Sequence, residues 1–246
     1  MELEGTVLWG RDLTAIEGRL HIAAGRIVDF EQTPVDGADI IMPAFVNGHT
    51  HLGDSIAKEA GAGVPLKELV APPDGLKHQL LRAASPETII RAIRGSLQLM
   101  IDSGTTATIE FREGGVAGVE RLLAAQAGLP IELQVMARPS EAALARADGF
   151  GASSVRDEAY AEVRAAAAAA GKPSGIHAGA RDPADIAGAL ALAPDFLLHM
   201  RHAQPAHLRA VAAAAIPIVV CPRSHLFPDA GPPPTAELHP RQPRAA

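Results

Sequence analysis

The chain has 246 residues, with 22 Lys+Arg against 28 Asp+Glu and a formal charge of −6, which argues against nucleic acid or an anionic membrane as partner, since both are held by clustered positive charge. Hydrophobic residues make up 48% and charged residues 20%, enough for a sizeable core and outside the composition of a disordered chain. Cys221 stands alone, so no intrachain disulfide forms, and the acidic start Met1-Glu2-Leu3-Glu4 together with the lack of any apolar run near the ~20 residues of a bilayer span predicts a soluble, cytoplasmic protein.

From Thr6 to Ile41, short apolar runs (Thr6 to Trp9, Arg19 to Ile22, Arg26 to Phe30) are punctuated by Gly5, Gly10, Gly18 and Gly25. That texture predicts a small antiparallel sheet with tight turns over residues 1–42. After Pro43, Ala44-Phe45-Val46 leads into Asn47-Gly48-His49-Thr50-His51, a strand ending in polar residues. A loop rich in Gly and Pro is expected from Gly61 to Gly75, then a helix from Pro86 to Asp102, on which Ile89, Ile90, Ile93, Leu97 and Met100 recur every three or four residues.

Strand and helix then alternate. Strands are predicted at Thr105 to Phe111, Ile131 to Ala137, Phe150 to Ser154, Ser174 to His177, Phe196 to His199 and Ile216 to Cys221. Between them, helices are predicted at Gly118 to Ala127, Glu141 to Arg146, Asp157 to Ala170, Pro183 to Leu192 and Pro205 to Ala214. With the strand at Phe45 this makes seven parallel strands joined by right-handed crossovers. The fold class is α/β, a parallel sheet or barrel over residues 43–228, which is short for a closed eight-stranded barrel of about 250 residues. Residues 229–246 hold Pro232, Pro233, Pro234, Pro240 and Pro243 without apolar periodicity, and read as a disordered tail.

His49 and His51 are two apart at a strand end, so both imidazoles point to one side and can meet one metal ion. Alone the pair is weak, because ten histidines in this length give roughly 0.4 such pairs by chance. Two further histidines stand at the same place in the repeat: His177 ends Ser174-Gly175-Ile176, and His199 ends Phe196-Leu197-Leu198. Parallel α/β folds bind ligands at the carboxyl ends of their strands, where distant segments converge. Histidines gathered there suit a divalent ion that activates water.

Pro43-Ala44-Phe45-Val46-Asn47-Gly48-His49-Thr50-His51-Leu52, Gly175-Ile176-His177-Ala178-Gly179, Phe196-Leu197-Leu198-His199 and Val219-Val220-Cys221-Pro222-Arg223-Ser224, taken in order, resemble the amidohydrolase superfamily. Within it the likeness is to the branch of cytosine deaminase, the chlorohydrolases and related archaeal amidohydrolases, from about Leu3 to Phe227. The resemblance implies a metal-dependent, TIM-barrel-like (β/α)8 fold, here incomplete at about seven strands, with a small β-sandwich to which residues 1–42 contribute the N-terminal portion, and one divalent ion, Zn or Fe. His49, His51 and His177 would be its ligands, with an aspartate after an eighth strand, and His199 would orient water or substrate. No lysine ends the fourth barrel strand, so the bridge of two-metal relatives is not expected. The implied reaction is hydrolysis of a C–N or C–Cl bond of a small molecule.

Two departures matter. Deaminase relatives carry a glutamate three residues after the strand-five histidine, where this chain has Ala180, which cannot transfer protons. The family-like sequence also gives way near Phe227 to the proline- and arginine-rich tail, before an eighth strand, and His225 replaces an asparagine. A shifted or prematurely ended reading frame is the expected cause. A metal-binding but non-catalytic barrel is therefore the rival reading, and a scaffold that docks a partner on its open edge is a third.

Other candidates are less sharply marked. His202 shares the water-orienting or substrate-binding role with His199, or is an exposed residue after the strand. Lys77 reaches an anionic substrate or starts a helix, and Glu110 bonds a ligating histidine from behind, or is a capping or surface ion-pair residue. Arg223 and Ser224 contact substrate at the end of the seventh strand, or Ser224 caps a helix. Cys221 reads as a small core residue rather than a nucleophile. The expected partner is a small-molecule substrate, without nucleic acid or membrane, and a homo-oligomer is allowed.

Overall fold

In a computed structural model of the chain, residues 1–222 and 224 are described, apart from 71, 72, 139 and 158; the proline-rich stretch 229–246 and Arg223 lie outside the described residues. The chain divides into two compact units, residues 1–45 and 46–246.

The first unit is a four-stranded sheet in the order β3-β2-β1-β4. Its strands are β1 (Glu2–Trp9), β2 (Thr14–Ala23), β3 (Arg26–Gln32) and β4 (Ile40–Ile41). The hairpins β1–β2 and β2–β3 are antiparallel as the glycine spacing predicts, while β4 pairs parallel to β1. The strands run longer than their apolar runs because the ladder continues through polar residues, as where Arg19 on β2 joins Glu4 on β1 at 2.9 Å. Gly5 is required: a methyl there would stand 2.5 Å from the Asp39 carbonyl oxygen.

The second unit is a parallel sheet of seven strands in sequence order: β5 (Phe45–Thr50), β6 (Thr105–Arg112), β7 (Glu132–Ala137), β8 (Gly149–Ala152), β9 (Ser174–Ala178), β10 (Phe196–His199) and β11 (Ile218–Val219). The end strands approach one another, since a methyl at Gly48 on β5 would lie 3.1 Å from Val219 Cγ1 on β11. The sheet is a nearly closed barrel, as the repeat predicts. Its inside is filled by Phe111 and Met136, both fully buried, with Ile109, Phe196, Leu198 and Val219. Gly151 and Gly175 make room for them: a methyl on Gly151 would be 2.7 Å, and on Gly175 2.8 Å, from the Phe111 ring. Alternation sends Phe150, Ala152, Ile176 and Leu197 outward against the helices.

The predicted long helix is α3 (Pro86–Asp102), following α1 (Leu66–Val70) and α2 (Leu76–Ala83). Ser85 caps α3 by accepting from the Thr88 amide at 3.2 Å, and Pro86 occupies the first turn. Ile89, Ile93 and Leu97 form its buried stripe. Further helices among the described residues are α4 (Gly115–Gln126), α5 (Glu141–Arg146), α6 (Ala161–Ala169), α7 (Ile186–Ala191) and α8 (Pro205–Ala213).

Three boundaries differ from expectation for identifiable reasons. The segment from Gly61 to Gly75 holds α1 where its composition predicts only loop. Helix α6 starts at Ala161 rather than Asp157, because the Asp157 carboxylate is engaged with Arg181 at 2.8 Å and Tyr160 shares a 2.6 Å hydrogen bond with Ser153. The predicted helix from Pro183 is a 3-10 turn at Pro183–Asp185 followed by α7. There the Asp185 carboxylate is spent on Ser154 (2.6 Å) and the Gly179 amide (2.8 Å), which ties down the loop after β9.

Candidate metal centre

The carboxyl ends of β5, β6, β9 and β10 meet around four imidazoles. His49 and His51 leave β5 on one side, their ring centroids 4.8 Å apart; His49 is 4.8 Å from His177 and 5.4 Å from His199. One ring nitrogen each from His49, His51 and His177 lie within 4.8 Å of one another.

Each ring is aimed by what holds its far nitrogen. His51 Nδ1 donates to the Phe111 carbonyl at 3.1 Å and lies 3.3 Å from Glu113 Oε1; His177 Nδ1 donates to the Ala152 carbonyl at 2.6 Å. With Nδ1 protonated in both rings, both Nε2 lone pairs face inward, and they are 3.2 Å apart. Two lone pairs that close repel unless a proton on one of them or a metal ion lies between them. A tetrahedral ion with metal–nitrogen bonds of about 2.0–2.1 Å separates its ligands by ~3.3 Å. His49 Nδ1 is buried without a hydrogen-bond partner, which is costly in an apolar setting. Burial, reinforced by neighbouring imidazoles, holds His49 and His177 well below the usual histidine range, so both are neutral at pH 7, the form that ligates. The donor set fits a divalent ion of the zinc type.

His199 reaches the cluster by an unusual route. Leu198 faces into the barrel, so alternation would turn His199 outward; instead His199 and Met200 take φ values of +70° and +50°. Consecutive left-handed residues without glycine cost of order 1–3 kcal/mol each, and here they bring the His199 ring within 5.3 Å of His177.

Glu110 does not reach an imidazole. Its carboxylate accepts from the Thr50 hydroxyl at 2.7 Å and the Leu52 amide at 2.8 Å, clamping the backbone on both sides of His51. Burial pushes its pKa up to about 8 against those hydrogen bonds and Arg112. The carboxylate at His51 is Glu113, one residue beyond β6. Burial raises its pKa, but His51, Lys77 and Arg138 more than offset this and hold it well below the usual carboxylate range. Lys77 Nζ is 2.8 Å from Glu113 and 3.1 Å from Asp54. Burial opposes its charge, and those two carboxylates outweigh burial and raise its pKa. Glu113 and Arg138 escape a search based on histidines, yet both follow directly on strand ends, the signal that finds the histidines.

A cavity of about 340 Å³ opens beside His51, with Asp54 and Lys77 at its polar end and Ile56, Leu69, Leu80 and Leu81 on its apolar wall. His202 is held by its backbone, whose N–H donates to the Gly179 carbonyl at 2.9 Å; among the described residues its ring belongs to neither group able to hold an ion. Ser224 is exposed.

The amidohydrolase family model matches residues 40–230. The chain belongs to the amidohydrolase family. It is 39% identical over 207 residues to a protein of Archaeoglobus fulgidus provisionally named an aminohydrolase; that alignment covers 80% of this chain and 60% of the relative's length. Among solved structures, it resembles atrazine chlorohydrolase TrzN from Arthrobacter aurescens TC1, complexed with zinc, with a TM-score of 0.72 at 16% identity over 96% of this chain and 69% of that one. It also resembles an adenosine deaminase from Xanthomonas campestris with bound zinc, with a TM-score of 0.71 at 17% identity over 96% and 66%. At these identities the structures speak for the fold. Among the described residues, no helix is long and apolar enough to cross a membrane.

Proposed function

We propose that this amidohydrolase barrel binds one divalent ion, zinc by preference, through His49, His51 and His177, and hydrolyses a C–N bond of a small molecule in the manner of a deaminase. The observation that carries this is the facing pair of His51 and His177 Nε2 atoms, 3.2 Å apart, with both Nδ1 atoms committed elsewhere. A bound divalent ion supplies Lewis acidity and makes water a stronger acid. The chain supplies the rest. His199, beside His49 and His177, orients the water or the leaving group. Among the described residues, Asp54 is the one carboxylate on the cavity wall; its Oδ2 is held by Lys77 and its Oδ1 is buried without a partner. It is our candidate for the proton transfer that Ala180 cannot perform. Lys77, tied to Glu113 and Asp54, sets the charge of that wall rather than standing free for an anion. The apolar wall and the volume suit a small heterocycle.

Steady-state turnover of amino- and chloro-substituted heterocycles by the zinc-loaded chain tests this. The expected result is hydrolysis that a chelator abolishes, and that Asp54→Asn lowers in kcat by 10²–10⁴-fold, the span of general acid–base catalysis, with metal content unchanged. A second reading, a metal-holding barrel without turnover, is favoured by Ala180. Full metal occupancy with no hydrolysis across the series would select it.

A further inference from the structure

A second group of ligands adjoins the first and shares His49 with it. Ring nitrogens of His49 and His199 and the sulfur of Cys221 lie within 4.8 Å of one another. Cys221, just past β11, is 9% exposed and unoxidised, and the left-handed turn at His199 and Met200 is what brings the second imidazole there. His49 can join either group through its one lone pair, and holding two ions at once requires its ring N–H proton to leave to solvent as well; its Nδ1 is buried without a hydrogen-bond partner. We propose that His49, His199 and Cys221 form a second, thiolate-containing cation position for a soft divalent ion such as zinc, cobalt or cadmium.

Two imidazoles and a sulfur are ligands that such ions prefer over magnesium or calcium. As the sulfur–metal bond forms, the thiol proton leaves to solvent. Burial pushes the thiol up to about 11, against a hydrogen bond to the His199 backbone, so without a cation the group stays a neutral thiol. The position stands apart from the three-histidine centre in needing neither His51 nor His177.

Cobalt(II) titration of metal-free protein under a non-thiol reductant, followed by absorption, reads this out without any turnover. Cys221 is the chain's one cysteine, so any sulfur-to-cobalt charge-transfer band in the near ultraviolet belongs to it. The expected result is a band that saturates with added cobalt, disappears in Cys221→Ser and falls at least tenfold in apparent affinity in His199→Gln. It should survive in the double variant His51→Ala/His177→Ala, whose three-histidine centre is destroyed. Absence of the band in the folded wild type, its persistence in Cys221→Ser, or indifference to His199→Gln would each overturn the proposal. Loss of the band in the double variant alone would assign the sulfur to the first centre and would overturn it as well. Circular dichroism on each variant separates these results from unfolding.

Discussion

The Nε2 atoms of His51 and His177 face each other at 3.2 Å, while the opposite nitrogen of each ring is bonded to the carbonyl of a neighbouring strand, Phe111 on β6 and Ala152 on β8. The two histidines are 126 positions apart in the chain. Barrel register rather than local sequence therefore sets the centre: Gly151 pairs with Gly175, and Ala152 with Ile176, beside the histidine.

Glu113 holds His51 from behind and accepts from Lys77. Glu113→Gln keeps the shape but removes the charge that favours a ligating His51. Zinc affinity, measured by competition with a chromophoric chelator, should fall 10–100-fold, the usual cost of losing such a partner. An unchanged affinity would show that the Phe111 carbonyl alone orients the ring.

Glu110 gives a stability signature. Its folded pKa of about 8 exceeds the ordinary 4.5, so the folded state binds the extra proton. The contribution is full below pH ~4.5 and is lost as pH rises toward 8, at about 1.4 kcal/mol per pH unit between those limits. Glu110→Gln cannot titrate. Urea denaturation across pH 5–9 should show wild-type stability declining relative to Glu110→Gln, whereas parallel curves would mean the carboxylate is ionised in the fold.

Gly175 faces the Phe111 and Phe196 rings inside the barrel. Gly175→Val overfills that interior and should cost about 1–3 kcal/mol or more, seen as a lower midpoint in thermal unfolding. Wild-type stability in this variant would mean the strand interior is looser than its packing shows.

Much of this architecture is legible in the sequence because the signals are local. The apolar stripe of α3 with Ser85 and Pro86 before it, the strand–helix alternation, and the strand-end histidines at 49, 51, 177 and 199 all follow from period and punctuation. Long-range contacts escape it. That Glu113 rather than Glu110 faces His51 depends on the exact end of β6, and only a backbone reversal at His199 and Met200 makes that histidine face inward. The short helix α1 and the cavity beside it are hidden because their helical signal lies among the glycines and prolines of the stretch from Gly61 to Gly75.

The central claim is that His51 and His177 share one ion, and calorimetric titration of zinc into metal-free protein tests it most directly. In the Cys221→Ser background, which removes the second position, zinc should show a tight binding event that is lost when His51→Ala or His177→Ala is added, with each variant still folded. An equally tight event in Cys221→Ser and in Cys221→Ser/His177→Ala would contradict the account.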